Sequence, residues 1–404
     1  MSRHQTSDDH DHVYIKSKER RWCNIETYKC PICGNTDIHS IGMLNGKPYC
    51  RRCISFRGEE VEHKPSYPKK APIHLEYELS PKQKELSDKL VENYKKGIDS
   101  LVFAVCGSGK TEIVINTIKF VLECGGKVGF AIPRRDVVVE LALRFQKIFS
   151  KNIITTVFGG NTSLLEGDIV CMTTHQLFRY NSYFDLLILD EIDAFPYEGN
   201  ETLHQIMKRA TKGFLILMTA TPSKKIINEF SRKDKSILKL YKRYHGDIIP
   251  VPKILKLPSL IGLIYLLFKL KRFIKNEMPV FIFVPTIYEC KSIYNRLKFA
   301  AKPGYFINSQ SENRKEIIEK FRNGEYKYLV TTAVLERGVT LKNLQVIVYH
   351  SDSSLYKKST LIQIAGRVGR VIGATKGEVI FIGKKRTKQM EEAIEEIRYA
   401  NNVV

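Results

Sequence analysis

A short loop in this sequence carries the residue types that proteins use to hold phosphate groups. Residues 104–111 read AVCGSGKT, so two glycines precede an adjacent lysine and threonine. Glycines let backbone amides turn toward an anion, a lysine bridges terminal phosphates, and a threonine hydroxyl is a ligand for Mg²⁺. We therefore predict a nucleotide phosphate site. Its members are Gly107, Ser108, Gly109, Lys110 and Thr111.

The elements around this loop are those that a phosphate-binding loop needs. Residues 101–105 form an apolar run typical of a buried strand, and residues 111–123 have a helical pattern. Ala104 stands where the usual motif has its first glycine, which is a mild departure because the position lies at the strand end.

Three carboxylates follow a second apolar strand, residues 186–189, in the segment DEID. Side chains at the carboxyl end of a parallel strand face the crevice beside such a loop. We expect Asp190 to hold Mg²⁺, Glu191 to orient or deprotonate an attacking water, and Asp193 to contact a coupling segment. The candidate for that segment is TAT at 219–221, after a predicted strand at 214–218.

An arginine pair lies far downstream in QIAGRVGR, residues 363–370. Arg367 and Arg370 are three positions apart, so we predict that they share one face of a helix that includes residues 361–366. An arginine delivered across a cleft to the terminal phosphate couples closure to hydrolysis. The alternative is a solvated basic helix, which is disfavoured because the second half has no phosphate loop of its own. The predicted catalytic residues are Lys110, Asp190, Glu191, Arg367 and Arg370.

Polar residues at the ends of predicted strands are candidates for a track of nucleic-acid phosphate contacts. Hydroxyls and arginines at strand ends are also ordinary loop chemistry, so each residue remains open. The candidates are Pro133, Arg134, Thr173, Thr174, His175, Pro285, Thr286, Thr331 and Thr332. Gly338 lies in a segment that combines hydroxyls and a charged pair after the predicted strand 328–331, and it is assigned to the nucleotide site.

Gln83 has two interpretations. The segment Ser80-Pro81-Lys82-Gln83 has the serine, proline and glutamine of a capping box at a helix start. The position is also where nucleic-acid motors place a glutamine that reads adenine. Both interpretations stay open, and we expect one side chain to serve only one of them at a time.

Four of the nine cysteines are spaced to bind a metal ion. Cys30 and Cys33 form one CxxC pair, Cys50 and Cys53 form another, and sixteen residues separate the pairs. This spacing is typical of a zinc ribbon in which four thiolates surround a structural Zn²⁺. The alternative is four unrelated buried thiols. The turn-like residues 44–47 predict a hairpin between the two pairs.

The chain is strongly basic and long enough for two or three globular domains. Its 404 residues carry a formal net charge of +22, which points to a polyanionic partner. Residues 201–300 hold 20 of the basic residues and only 6 of the acidic ones. We predict that eight cations there support binding to DNA or to an anionic membrane, with a solvated basic face as the alternative. They are Lys224, Lys225, Arg232, Lys233, Lys235, Lys239, Lys242 and Arg243.

Nothing in the first twenty residues resembles a secretory signal, so we expect a cytoplasmic protein. A peripheral position on the inner face of the cell membrane is left open. The longest apolar run, residues 260–268, is too short to span a bilayer, which takes about 20 residues. We predict that it forms a buried helix. The alternative is a helix at a membrane surface, flanked by Lys256, Lys269, Lys271 and Arg272.

The alternation of apolar strands and helices predicts an α/β fold of two tandem RecA-like lobes with parallel sheets, preceded by the ribbon. In the second half, residues 280–284, 328–331 and 346–349 are predicted strands, and residues 314–321 form a predicted helix. The predicted organisation is a disordered tail at 1–20, a zinc ribbon at 21–60, a linker at 61–76, an ATP-binding lobe at 77–247 and an arginine-bearing lobe at 248–404.

These motifs together resemble those of superfamily 2 helicases over residues 80–385. The four-cysteine ribbon ahead of the motor and DEIDAFPY at 190–197 most resemble the ComFA family of late-competence DNA-uptake ATPases. The resemblance implies ATP, Mg²⁺ and Zn²⁺ as cofactors. It also implies an ATPase that draws single-stranded DNA into the cytoplasm during natural transformation, with other competence proteins at the membrane channel as partners. A homo-oligomer is left open.

Two alternatives to that function remain. One is a strand-separating helicase in replication restart or repair. The other, from a different class, is a zinc adaptor whose lobes form a nucleotide-gated scaffold for partner proteins. Stimulation of ATP turnover by DNA but not RNA, without duplex unwinding, would argue against the first alternative. Slow ATP turnover that does not respond to nucleic acid would favour the second.

Overall fold

The computed structural model describes residues 28–54, 56, 58–62, 64, 67–105, 107–193, 199–243, 248–332, 341–371, 373 and 377–403. Some features predicted from the sequence lie outside these ranges. They are the tail at 1–20, Cys106, residues 194–197 and Gly338.

The N-terminal part of the described chain is a small cysteine-bearing hairpin. Strands β1 (Ile41–Leu44) and β2 (Lys47–Cys50) pair antiparallel. Asn45 and Gly46 join them with φ of 51° and 75°, the left-handed geometry of a tight two-residue turn. The predicted hairpin is therefore confirmed, and it brings the second cysteine pair back beside the first.

The first lobe is a seven-stranded parallel sheet with helices on both faces. Its strand order is β5-β6-β4-β7-β8-β3-β9. The strands are β3 (Asp99–Ala104), β4 (Val128–Ile132), β5 (Ile154–Val157), β6 (Ile169–Thr173), β7 (Phe184–Asp190), β8 (Thr211–Thr219) and β9 (Lys235–Leu240). The helices are α1 (Pro81–Lys95), α2 (Lys110–Ile113), α3 (Ile115–Glu123), α4 (Arg135–Ile148), α5 (Glu201–Ala210) and α6 (Lys224–Phe230).

The second lobe is a six-stranded parallel sheet in the order β10-β15-β14-β11-β13-β12. Its strands are β10 (Lys253–Lys256), β11 (Val280–Phe283), β12 (Gly304–Ile307), β13 (Tyr328–Thr331), β14 (Gln345–Tyr349) and β15 (Val379–Gly383). Its helices are α7 (Ser259–Lys275), α8 (Ile287–Leu297), α9 (Arg314–Arg322), α10 (Lys358–Ala365) and α11 (Lys388–Asn402).

Both sheets contain inner strands that are buried along their whole length. Every residue of β4, β14 and β15 is buried, because helices cover both faces of a parallel sheet. The parallel register also aligns strand ends, so that Phe103 lies opposite Thr219 and Asp190 lies opposite Met218. The predicted fold of two RecA-like parallel-sheet lobes is confirmed, and its strand ends place the predicted motifs at one edge.

The segment between hairpin and motor packs along the first lobe. Val61 forms a bridge with Tyr180, and the ammonium of Lys69 lies 2.7 Å from an oxygen of Asp168. Ala71 is fully buried, in a core cluster of the first lobe. Proline and charged residues gave this stretch a linker composition, but the apolar residues between them anchor it to the lobe.

The helix that carries the arginine motif ends earlier than its sequence predicts. Helix α10 ends at Ala365, and Gly369 adopts a φ of 70°. Arg367 and Arg370 therefore lie in the loop after the helix, so the prediction that they share one helical face is wrong. Glycines stop helices readily because they adopt left-handed backbone angles, and this motif contains two of them.

The apolar run at 260–268 lies within α7, but it is buried on one face only. Leu266 and Leu270 are fully buried in the lobe, whereas the side chains of Leu260 and Ile264 are 71% and 62% exposed. The prediction of a buried helix is wrong for this outer face. Composition alone does not determine which side of an apolar helix a neighbouring element covers. None of the described helices is both long and apolar enough to cross a membrane.

Candidate nucleotide site between the two lobes

The predicted phosphate loop connects β3 to α2 and turns sharply at two glycines. Gly107 and Gly109 have φ of 82° and 80°, backbone angles that residues other than glycine rarely adopt. A Cβ on Gly109 would also collide with the side-chain amide of Gln83. The two glycines therefore set the shape of the loop, and Gly109 allows a neighbouring element to approach it closely.

Gln83 caps helix α1, as one of its two interpretations predicted, and it also contacts the phosphate loop; its reading of adenine stays a prediction. Its Oε1 accepts a hydrogen bond from the backbone of Ser80 at 2.9 Å, which completes the capping box of α1. Its Nε2 donates to the carbonyl of Ser108 at 2.8 Å. The amide has one end for each bond, so a single buried glutamine both caps the helix and fixes the phosphate loop.

Lys110 and Asp190 form the centre of the site. The Lys110 ammonium lies 3.3 Å from an Asp190 carboxylate oxygen, across the ends of β3 and β7. Burial raises the pKa of Asp190, the Lys110 ammonium opposes this rise, and the Glu191 carboxylate adds to it. A largely buried carboxylate whose ionised form is stabilised by a neighbouring cation is suited to holding a divalent metal beside phosphate oxygens.

Glu191 occupies a constrained backbone position. Its φ is 60°, in the left-handed region that non-glycine residues visit at a cost of about 1 to 3 kcal/mol. The turn lets its amide donate to Asp190 Oδ1 at 2.8 Å. The turn thus helps to fix the orientation of the Asp190 carboxylate.

Asp193 gathers hydrogen bonds from both lobes. Its Oδ1 accepts from the hydroxyl of Thr219 at 2.8 Å, and its Oδ2 accepts from Thr221 at 2.7 Å. The Nε2 of Gln363, in the second lobe, donates to the same Oδ2 at 2.6 Å. One carboxylate therefore links the DEID segment, the TAT turn and the arginine motif.

The loop after α10 lies directly against the phosphate loop. A Cβ built on Gly107 would lie 4.0 Å from the Cγ of Arg370. Arg370 is partly exposed, and its Nε donates to the carbonyl of Gly366 at 2.7 Å. Arg367 is only 1% exposed. Of the two predicted arginines, Arg370 is therefore the partly exposed one, and its side chain lies beside the phosphate loop.

Arg243 supports this arrangement, whereas the sequence predicted it only as one of eight cations on a DNA or membrane surface. It is 2% exposed, and its guanidinium donates to the carbonyls of Gly366, Val368 and Gly369 at 3.0, 2.7 and 2.7 Å. Its Nε would lie 4.0 Å from a Cβ on Gly107. A residue next to the inter-lobe connection thus holds the arginine loop in place.

The site fits a nucleotide phosphate. Ser108 is fully buried, and within the described chain its hydroxyl has no hydrogen-bond partner. A buried hydroxyl normally has a hydrogen-bond partner. An oxygen-rich ligand beside the loop would explain why the Ser108 hydroxyl has none within the described chain. The lysine, the carboxylate pair and the turned glycines around it are the donor set that phosphate and Mg²⁺ require.

A second cluster beside the loop was missed by sequence analysis. Tyr77 donates to Glu112 at 2.6 Å, and Arg144 contacts both side chains. Burial and the Glu112 carboxylate raise the pKa of Tyr77 to about 12, so the phenol stays neutral near pH 7. The cluster fixes the residue that follows Thr111, and its three members are too far apart in sequence to form a recognisable motif.

The predicted nucleic-acid residues all lie at or just after the ends of strands, but their exposure differs. Thr174, Thr331 and Thr332 are buried, at 2%, 0% and 8% exposure. The Oγ1 of Thr286 accepts from the backbone of Glu289 and caps α8. The partly exposed residues are Pro133, Arg134, Thr173, Pro285 and Thr286, and His175 is exposed.

A groove in the second lobe adds side chains that the sequence did not indicate. Its volume is about 830 Å³, and it opens beside the start of α8 and the carboxyl end of β12. Tyr305 and Phe306 lie in its wall with Asn308 and Ser311, and the exposed Tyr288 lies at its edge. Aromatic and amide side chains in one groove are suited to stacking and hydrogen bonding with bases.

The four predicted zinc ligands converge on one point. Their sulfur atoms all lie within 4.8 Å of one another, and the Cys30–Cys53 and Cys33–Cys50 sulfur pairs are each 3.8 Å apart. Four thiolates about 2.3 Å from a tetrahedral Zn²⁺ would be separated by about 3.8 Å. The donor set therefore fits a closed structural zinc site, with no open coordination position.

The cysteine hairpin is docked beside the segment that follows β6. The ring of Phe56 stacks on His175 with centroids 5.8 Å apart, and Arg179 donates to the carbonyl of Glu59 at 2.9 Å. Arg209 adds an ion pair with Glu60 at 2.6 Å. The hairpin thus shares packing with His175, one of the predicted nucleic-acid contacts.

Comparison with known families identifies the class of protein. Residues 76–224 match the family model described as type III restriction enzyme, res subunit, and residues 262–372 match the helicase conserved C-terminal domain. Together with the two-lobed fold and its inter-lobe site, these matches define an ATP-hydrolysing enzyme of helicase superfamily 2.

Two relatives define the family. The chain is 32% identical to competence protein ComFA of Bacillus subtilis over 96% of its own length and 89% of that protein. It is 33% identical to competence protein ComFA of Streptococcus pneumoniae over 92% of its own length and 90% of that protein. The chain belongs to the ComFA family.

Solved structures with the same fold extend beyond that family. Saccharomyces cerevisiae Dbp5 bound to RNA and ADP BeF3 aligns with a TM-score of 0.59 at 16% identity, covering 81% of this chain and 92% of that one. RecG bound to a three-way DNA junction aligns with a TM-score of 0.56 at 20% identity, covering 82% and 47%. At this identity the likeness establishes the fold alone.

Proposed function

We propose that the chain is an ATP-driven translocase on single-stranded DNA that draws DNA into the cytoplasm during natural transformation. The observation that carries the proposal is the bond between Gln363 and Asp193, which joins the two lobes at the nucleotide site. Membership of the ComFA family supports the biological setting. Other competence proteins at the membrane channel are the expected partners, on the inner face of the cell membrane.

Each residue of the site has a proposed task. The loop from Gly107 to Thr111 holds the phosphates, with Lys110 at their terminal oxygens. Asp190 and Thr111 would hold Mg²⁺, which neutralises phosphate charge when bound. Glu191 orients or deprotonates the attacking water, and Arg370 stabilises charge on the transferred phosphate, held in place by Arg243. Opening and closing of the lobes then transfers the DNA between the strand-end contacts of one lobe and those of the other.

The DNA path is proposed to cross the exposed strand ends of both lobes. In the first lobe, Arg134 follows β4 and Thr173 is the last residue of β6. In the second lobe, Thr286 follows β11, and the aromatic groove lies beside α8, the helix that comes next. Backbone phosphates would contact the strand ends, and bases would stack in the groove.

Translocation without strand separation distinguishes this function from that of a replication or repair helicase. We expect the protein to displace streptavidin from biotinylated single-stranded DNA in an ATP-dependent manner while leaving a forked duplex intact. Efficient unwinding of the fork would instead support the strand-separating helicase. Failure in both assays, with slow ATP turnover that ignores nucleic acid, would support the nucleotide-gated zinc scaffold.

Coupling between the lobes should depend on Gln363. We expect Gln363→Ala to reduce the stimulation of ATP turnover by single-stranded DNA about tenfold or more, because it removes a hydrogen bond to a charged group. ATPase rates with and without DNA measure this effect. Gln389→Ala is the control, since that amide accepts from Lys358 at the other end of α10. Equal stimulation in the two variants would contradict the proposed coupling.

Zinc is proposed to hold the cysteine hairpin. We expect Cys30→Ser to lose its stoichiometric zinc and to melt at a lower temperature, because the four cysteines belong to a core shared with the first lobe. Some ATPase activity should remain, since the phosphate loop lies elsewhere. Cys124→Ser, at an exposed thiol, is the control. Metal analysis that shows unchanged zinc in Cys30→Ser would contradict the assignment.

Only some of the eight cations predicted to bind DNA or lipid in the basic region 201–300 lie on an open surface. Arg243 is buried, and Lys235 lies 3.0 Å from Glu229, so neither belongs to an open cationic face. The others are exposed and are retained as proposed contacts for DNA or anionic lipid. They are Lys224, Lys225, Arg232, Lys233, Lys239 and Lys242.

A further inference from the structure

The outer face of α7 is an apolar stripe on the surface of the second lobe. Four large side chains there are more than half exposed. They are Leu260 (71%), Ile261 (51%), Ile264 (62%) and Phe268 (61%). At about 100° per residue, these positions fall within one arc of about 100°. Isolated exposed hydrophobic residues are ordinary on protein surfaces, but four on one helix face form a contiguous patch that indicates an interaction site.

Cations lie at both ends of this stripe. Lys256 is exposed just before the helix, and Lys271, Arg272 and Lys275 are exposed in its last turns. No acidic residue occurs from 248 to 276 in the sequence. Lysine and arginine side chains can extend from an apolar face toward charged headgroups, so the helix has the composition of an interfacial membrane helix.

The stripe faces away from the nucleotide site. The buried side of α7 packs with α8 on one face of the second sheet, in the cluster that includes Leu266, Leu270 and Ile293. Ile364 of α10 belongs to the cluster on the opposite face, together with Val105 of the first lobe. A surface bound by α7 would therefore leave the arginine loop and the lobe cleft open.

We propose that this outer face of α7 binds an anionic lipid surface. Charge favours lipid over a second copy of the chain, because either orientation of two stacked α7 faces would bring cations together, and Glu277, just after the helix, is the one exposed acid within two residues of its ends. An anionic bilayer supplies both an apolar layer for the stripe and negative headgroups for its ends. The attachment adds a membrane contact to the proposed translocase and uses none of its DNA contacts.

Vesicle binding by the full chain tests this proposal. We expect sedimentation with vesicles of phosphatidylglycerol and phosphatidylcholine, weak binding to phosphatidylcholine alone, and a loss of binding as salt rises. The triple variant Leu260→Ser, Ile264→Ser, Phe268→Ser should bind at least about tenfold more weakly. The double variant Lys271→Glu, Lys275→Glu should lose the preference for the anionic lipid.

Two controls separate this result from misfolding and from failure of the proposed function. Leu355→Ser removes a leucine that is 62% exposed, beside a residue of the opposite core, and should bind vesicles as the unchanged chain does. ATP turnover of each variant should match that of the unchanged chain, whether or not DNA stimulates it. Undiminished binding by the triple variant would overturn the proposal. So would a dimer in gel filtration that only the triple variant loses, with no vesicle binding by the unchanged chain.

Discussion

Lys110→Ala should reduce ATP turnover by roughly 10²- to 10³-fold, the usual cost of removing a preorganised donor to developing charge. In the structure the Lys110 ammonium lies 3.3 Å from Asp190, and it opposes the rise in the Asp190 pKa that burial causes. Its removal would therefore take away a phosphate contact and also favour the protonated, metal-incompetent form of Asp190. Steady-state ATPase assays at saturating Mg²⁺ measure the effect.

A lysine elsewhere in the same lobe provides the control for that experiment. Lys82 is exposed in the first turn of α1 and pairs with Glu85 at 2.7 Å. Lys82→Ala should keep the ATPase rate, since exposed pairs of this kind contribute about 0 to 1 kcal/mol to stability. Normal turnover in Lys110→Ala, with an unchanged melting temperature, would contradict the assignment of the phosphate loop.

Arg370→Ala should lower kcat by about 10³- to 10⁵-fold, the range that arginine fingers contribute in other nucleotidases. The side chain belongs to the second lobe and lies against Gly107 of the first, so it acts only when the lobes meet. Because it is partly exposed, its removal should leave the melting temperature nearly unchanged. Single-turnover assays on preformed complexes separate the loss of chemistry from any loss of nucleotide affinity.

Variants of two other arginines are the controls for the Arg370→Ala experiment. Arg386→Ala removes an exposed guanidinium just after β15 and should be neutral. Arg367→Ala should lower the melting temperature as well as activity, because Arg367 is buried. Should Arg370→Ala keep its kcat while only Arg367→Ala loses activity, the roles proposed for the two arginines would be wrong.

The sequence predicted the sheets well because burial leaves a simple pattern. Residues 328–331 form a fully buried β13 with the predicted bounds, and residues 280–283 of the predicted strand 280–284 form β11. The motif residues at strand ends followed from the same pattern, since parallel strands bring their carboxyl ends to one edge. Lys110 and Asp190 could therefore be paired without knowledge of the strand order.

Contacts between distant elements left no such pattern. Arg243 was one cation among many in a basic region, and only the fold shows that it binds the carbonyls of the arginine loop. The outer face of α7 has the same composition as its buried face, so periodicity could not tell which side stays exposed. The early end of α10 was readable in principle, because Gly366 and Gly369 are helix-stopping residues within the motif.

The inter-lobe site and the exposed strand ends together imply an enzyme whose ATP turnover depends on nucleic acid. The most direct test is the ATPase rate of the full chain with single-stranded DNA, duplex DNA and RNA, measured in one salt concentration. We predict strong stimulation by single-stranded DNA and little by duplex DNA or RNA. A rate that is the same with all three and without nucleic acid would contradict the translocase account.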